Sequence, residues 1–104
     1  MTELVIDNNT KVLAPLHLGL DAHVGNTPLI PLDKISSRVK VSAKAEWFNP
    51  GGSVKDRPAL NIIRAALAGG KLTGDRCLLD STSGNMGIAY ATLGVPLGIQ
   101  VALA

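Results

Sequence analysis

The sequence predicts an α/β fold, part of a doubly wound, three-layer parallel sheet, and three observations carry that expectation. Residues 39–48, VKVSAKAEWF, alternate apolar and polar side chains, which is the period of a half-buried strand. Beyond a glycine turn, Ala59, Ile62, Ile63, Ala66 and Leu67 recur at helical spacing. Two short apolar runs, CLLD at 77–80 and GIQVALA at 98–104, then flank a second helix of small residues, MGIAYATLG at 86–94. Strands alternating with crossover helices imply a parallel sheet, and such crossovers are right-handed.

Each element has local reasons. Residues 1–21 read as an arm with short apolar pieces, and VGNTPLIPL at 24–32 as a turn followed by an extended segment. Pro28 and Pro31 exclude a helix there. The chain thus divides into an N-terminal arm, 1–38, and an α/β part, 39–104. NPGG at 49–52 ends the first strand as a turn. Ser53 and Asp56 have the spacing of a capping box; with Asp56 itself as the cap, Pro58 falls near the helix start, where proline is tolerated. Gly69 and Gly70 stop the helix. AGGKLTG, 68–74, follows a helix and precedes a strand, so it is a connection at the end of the sheet away from any site. Cys77, in an apolar strand, is expected in the core, and Trp47 and Phe48 are expected to pack beside the turn.

Composition bounds the function. A chain of 104 residues has the length of one small domain. Aromatic residues are only 3%, so the core must be aliphatic. A net charge of +2 with no basic cluster gives no footprint for nucleic acid. The single Cys77 excludes an internal disulfide and a cysteine metal cage. His17 and His23 lack metal-ligand spacing, so no metal is expected. Glu3 and Asp7 argue against a signal peptide, and no apolar run is long enough to span a membrane. The resulting expectation is a cytoplasmic protein without a membrane partner.

Chemistry is expected in two loops. Open parallel sheets bind ligands beyond the carboxyl ends of their strands. NPGGSVKDR (49–57) and DSTSGNMG (80–87) occupy that position, and each runs into a helix N-terminus. Free N–H groups and the helix dipole favour an anion there. Lys55 lies at the mouth of the first helix. Its plain alternative is a surface charge paired with Asp56; its sharper reading is a held primary amine for covalent chemistry. Neither GxGxxG nor GxxxxGK[ST] occurs, which disfavours a generic nucleotide binder.

NPGGSVKDR, TSGN at 82–85 and GNTPL at 25–29 together resemble the cysteine synthase and cystathionine β-synthase family, pyridoxal-phosphate enzymes of fold type II. The blocks occur in the family's order and at similar spacing, from about Ala22 to Ala104, the first third of a typical member. The resemblance implies pyridoxal 5′-phosphate as cofactor, with residues 39–104 as an incomplete α/β domain that binds it. It implies that Lys55 forms the internal aldimine and removes the substrate α-proton, and that Asn85 hydrogen-bonds the pyridoxal 3′-oxygen. Thr82, Ser83 and Gly84 match the loop that takes the substrate carboxylate. Met86 departs from the family's threonine, so backbone N–H groups must replace a hydroxyl there. The glycine- and threonine-rich phosphate loop of the family has no counterpart between Asn85 and Ala104. The implied reaction is β-replacement, an activated serine plus sulfide giving cysteine, in a full-length homodimer acting on small amino acids. The other reading is a non-catalytic module that binds or oligomerises through its final strand.

Overall fold

The structure, a computed structural model, describes residues 19–82 and 84–104. A 3-10 turn, Leu20–His23, is followed by strand β1 (Leu29–Pro31) and strand β2 (Ser42–Lys44). A second 3-10 turn, Glu46–Phe48, leads through a loop into helix α1 (Asp56–Ala68). Strand β3 (Cys77–Asp80), helix α2 (Asn85–Gly94), a third 3-10 turn (Val95–Leu97) and strand β4 (Gln100–Leu103) complete the order.

β3 and β4 pair in parallel, with Cys77 opposite Gln100 and Asp80 opposite Leu103. α2 is their crossover, as the alternation of strand and helix implies. The first expected strand behaves differently. Only Ser42–Lys44 of residues 39–48 is extended, and it pairs antiparallel with β1 in a separate two-stranded sheet. The ladder is lengthened by Leu32 N–H donating to the Val41 carbonyl and Ala45 N–H to the Pro28 carbonyl, both at 2.8 Å. Its partner lies close in sequence, so a loop closes the pair without a crossover. Alternation survives at Val41, Ala43 and Ala45, which are less exposed than Ser42 and Lys44. It fails at Trp47, because the backbone turns into the 3-10 segment. Trp47 and Phe48 are 62% and 61% exposed, their rings 5.9 Å apart, so they pack on each other and not into the core.

The core is where α1 meets α2. Ala59, Leu60 and Ile63 of α1 join Ala89, Tyr90 and Leu93 of α2, and Leu97 and Ile99 close it. Ile62, expected inward, is 44% exposed, so the buried stripe of α1 is narrower than the spacing suggests. α2 has small buried residues on much of its circumference because it packs against both α1 and β4. In β3, Leu78 and Asp80 are half-buried while Cys77 and Leu79 are exposed. Cys77 is therefore a surface thiol, not the core residue expected, because the face of β3 that carries it is uncovered among the described residues. The second layer of helices that a three-layer sheet requires is likewise not formed by them.

Gly69 caps α1 and Gly70 follows at φ +66°, a left-handed position suited to glycine. The N-terminal arm as far as residue 18, including His17, lies outside the described residues. Among those described, no helix is long and apolar enough to cross a membrane.

Candidate active site

The loop that carries Lys55 is built from backbone turns held by side chains. Gly52 N–H donates to the Asn49 carbonyl at 2.8 Å, and Arg57 N–H to the Val54 carbonyl at 3.1 Å. Gly52 has φ +83°, which a residue with a Cβ would adopt only under strain. Lys55 is the N-cap of α1, and its carbonyl accepts the first helical bond, from Ala59 N–H at 3.0 Å. Its N–H donates to Ser53 Oγ at 3.2 Å. The capping box expected of Ser53 and Asp56 is not formed: the Asp56 N–H meets the Ser53 carbonyl at 3.4 Å, and the Ser53 hydroxyl serves Lys55 instead. The Lys55 side chain is exposed and has no hydrogen bond or ion pair among the described residues.

Asp56 is the first residue of α1 and completely buried. Its Oδ2 accepts the Gly51 N–H at 2.6 Å, while Oδ1 has no partner among the described residues. A carboxylate at this position is favoured by the helix dipole. It does not pair with Lys55, so of the plain alternative for that lysine the exposure is present and the pairing with Asp56 is not. A Cβ on Gly51 would collide with the Asp56 carboxylate, so glycine is required for the backbone to come this close.

Arg57 pairs with neither Asp56 nor Asp80. Its Nε and Nη2 donate to the two oxygens of Glu46, each at 2.9 Å. Glu46 also accepts from the Thr27 hydroxyl at 2.7 Å and Asn49 Nδ2 at 2.8 Å. Hydrogen bonds from Arg57 and then Thr27 hold the Glu46 carboxyl down at about 2. These four residues were not singled out as a group in the sequence, because their separations, from 3 to 30 positions, follow no local period.

The second loop forms the N-terminus of α2. Gly84 is its N-cap and Asn85 its first residue. Thr82 Oγ1 accepts from Gly84 N–H at 3.4 Å and Gly87 N–H at 3.2 Å, leaving its own proton to donate. Gly87 is buried, and a Cβ there would lie 3.0 Å from Leu103 Cδ1 and 3.1 Å from Thr82 Cγ2. Asn85 is exposed, with no side-chain hydrogen bond among the described residues. Met86 is partly buried and packs against the core cluster, and its backbone N–H is the donor it can offer an anion at the helix end. Ser83 lies outside the described residues.

Thr82, Gly84, Asn85 and Met86 are thus brought together at one helix end. Lys55 stands at the other helix end, and the two are joined by the shared α1–α2 core. A cavity of about 310 Å³ lies beside the 25–29 turn, lined by Ala22, His23, Gly25, Asn26, Thr27, Pro28 and Phe48; Lys55 and Asn85 do not line it. No group of three or more metal-ligating side chains occurs among the described residues. The donor set does fit pyridoxal phosphate: a primary amine and an amide side chain, both without partners among the described residues, and helix N–H groups.

The family model for pyridoxal-phosphate dependent enzymes matches residues 20–104. The chain is 50% identical over 86 residues to a cysteine synthase of Aquifex aeolicus, covering 78% of this chain and 26% of the relative. It superimposes on a hydrogen sulfide-producing enzyme from Fusobacterium nucleatum with a TM-score of 0.79 at 33% identity, over 88% of this chain and 30% of that one. A cysteine synthase from Entamoeba histolytica gives 0.75 at 31% identity, over 98% and 31%. The chain therefore spans between a quarter and a third of the length of these relatives, and its elements match the N-terminal part of the fold type II enzymes. Those matches implicate pyridoxal phosphate as the cofactor, and the chain belongs to the family of pyridoxal-phosphate dependent enzymes.

Proposed function

We propose that this chain supplies the lysine and the substrate-carboxylate subsite of a cysteine synthase-like β-replacement enzyme. The observation that carries the proposal is the setting of Lys55. Its amine is exposed and has no partner among the described residues, yet its backbone is fixed on both sides by hydrogen-bonded turns and by a packed helix. A surface lysine needs no such support.

Pyridoxal phosphate, when bound, supplies the electron sink for the substrate α-carbon. Lys55 Nζ would hold the cofactor and would accept the substrate α-proton as general base. Asn85 would help to hold and orient the cofactor through its side-chain amide. The N–H groups of Asn85 and Met86, with the Thr82 hydroxyl and the loop through Ser83 and Gly84, bind the substrate carboxylate at the positive end of α2. The substrate is an activated serine, and sulfide is the incoming nucleophile.

The test is cofactor trapping. The chain is mixed with pyridoxal phosphate, reduced with borohydride and digested, and the labelled peptide is located by mass spectrometry. Label concentrated at Lys55 and lost in Lys55→Ala is the expected result. Label spread evenly over Lys34, Lys40, Lys44 and Lys71 would overturn the assignment and favour a non-catalytic module.

A further inference from the structure

The 25–29 turn has no assigned part in the chemistry, yet Thr27 is buried, and so is Asn49. Both converge on one carboxylate. Glu46 Oε1 accepts from Thr27 Oγ1 at 2.7 Å and Arg57 Nη2 at 2.9 Å. Oε2 accepts from Arg57 Nε at 2.9 Å and Asn49 Nδ2 at 2.8 Å. All four donors serve one side chain, and the Arg57 pair is bidentate, the strongest common geometry for this pairing.

The donors come from both sides of Lys55. Asn49 Nδ2 also reaches the Ser53 carbonyl at 3.0 Å, two residues before Lys55. Arg57 stands two residues after it. On the other side of the cluster, Asn49 Oδ1 accepts the Gly25 N–H at 2.8 Å, and Arg57 Nη2 lies 3.3 Å from Thr27 Oγ1. Gly25 has φ +85°, and a Cβ there would stand 3.1 Å from Arg57 Nη1. The turn is thus shaped to admit the guanidinium.

We propose that Glu46 is a positioning residue for Lys55: with Thr27, Asn49 and Arg57 it clasps the 25–29 turn to the 49–57 loop and fixes where the lysine amine emerges. For its functional meaning this rests on the role proposed for Lys55. As a statement about the loop it stands by itself. The cluster gives the loop its order through directed bonds, where the apolar core does not reach.

The experiment is amide hydrogen exchange on the whole chain, read by peptide, in Glu46→Gln and in the pair Thr27→Val and Thr27→Ser. Loss of bonds to a charged group opens a local unit without opening the whole. Exchange in peptides covering 25–29 and 49–55 is expected to rise about tenfold or more in Glu46→Gln and Thr27→Val. Thr27→Ser, which keeps the hydroxyl, is expected to exchange like the parent, and peptides of α1 and α2 to be unchanged in all three. Borohydride trapping on the same variants should show Lys55 losing its excess of label over the surface lysines in Glu46→Gln and Thr27→Val only. Unchanged exchange in the two loops, or an equal rise in every peptide in both variants, would overturn the clasp. Absence of Lys55 label in the parent chain would instead sink the lysine's proposed role and leave the exchange result to decide the clasp.

Discussion

The two halves of the described chain are held together by different physics. Residues 25–57 are organised by directed bonds: four donors on Glu46, three acceptors shared by Asn49 Nδ2, and a buried Asp56 carboxylate on Gly51 N–H. Their large apolar side chains, Trp47, Phe48 and Val54, are exposed. Residues 59–103 are organised by non-directional packing, with Ile63, Ala59 and Ala89 at zero exposure. Lys55 sits at the seam. The lesson is a division of labour: packing supplies stability to the α1–α2 unit, while hydrogen bonds supply position to the loop that precedes it.

The largest expected effect breaks the apolar half. Ile63→Ala removes a fully buried side chain between the two helices and should cost about 2–5 kcal/mol in denaturant unfolding. If α1 and α2 carry most of the stability, the loss approaches the whole of what a chain this small has. A cost under about 1 kcal/mol would mean that the core is not where the cohesion lies.

Gly51→Ala strikes the seam. Its Cβ would meet the Asp56 carboxylate, and overpacking of this kind costs about 1–3 kcal/mol. Because Asp56 follows Lys55 directly, the variant should also reduce Lys55 labelling. Labelling at parental level would show that the amine tolerates movement of α1's first residue.

A smaller effect is expected at Gly87→Ala. The added methyl crowds Thr82 and Leu103 and should cost about 1 kcal/mol. It also turns the Thr82 hydroxyl away from the α2 N-terminus. Chemical shifts of the Gly84 and Gly87 amides would report that movement, and unaltered shifts would contradict it.

The smallest effect separates the halves by pH. The Glu46 carboxyl is lowered from 4.5 to about 2 by Arg57, Thr27 and Asn49. A depressed value means stabilisation that is complete above the unfolded value and lost as pH falls from there to about 2. The loop bonds should therefore outlast ordinary carboxylates in acid, and an NMR titration of the Glu46 side chain should have its midpoint near 2. Tyr90, in the apolar half, is raised above 10.0 by burial, then by the Asp80 charge beside it. Its contribution is complete below that unfolded value and declines at higher pH. Loosening of the Thr27–Glu46 bonds near pH 5 would remove the contrast.

Locally encoded features were legible in the sequence. The α1 stripe at Ala59 and Ile63, the glycine stop at Gly69 and Gly70, and the parallel strands expected at 77–80 and 98–104, of which 77–80 and 100–103 form, all follow from local pattern and turn chemistry. So does the meeting of Thr82, Gly84 and Asn85 at one helix end, which neighbours in sequence achieve by themselves. The family was legible too, because three short blocks carry it. What the sequence did not disclose depends on distant contacts. Whether residues 42–44 joined β3 or paired with β1 turned on which backbone lay nearest, and alternation is the same in either case. Cys77 is exposed because burial of a strand face is decided by what covers it, not by the strand's own residues. Arg57 chose Glu46 over its neighbour Asp56 because α1 buries Asp56 against Gly51 and leaves the guanidinium facing the 25–29 turn. The sequence by itself determined the two helices, their stops and the chemistry of their ends; only the tertiary structure decided which ends are braced, because a hydrogen bond across 30 residues leaves no period to read.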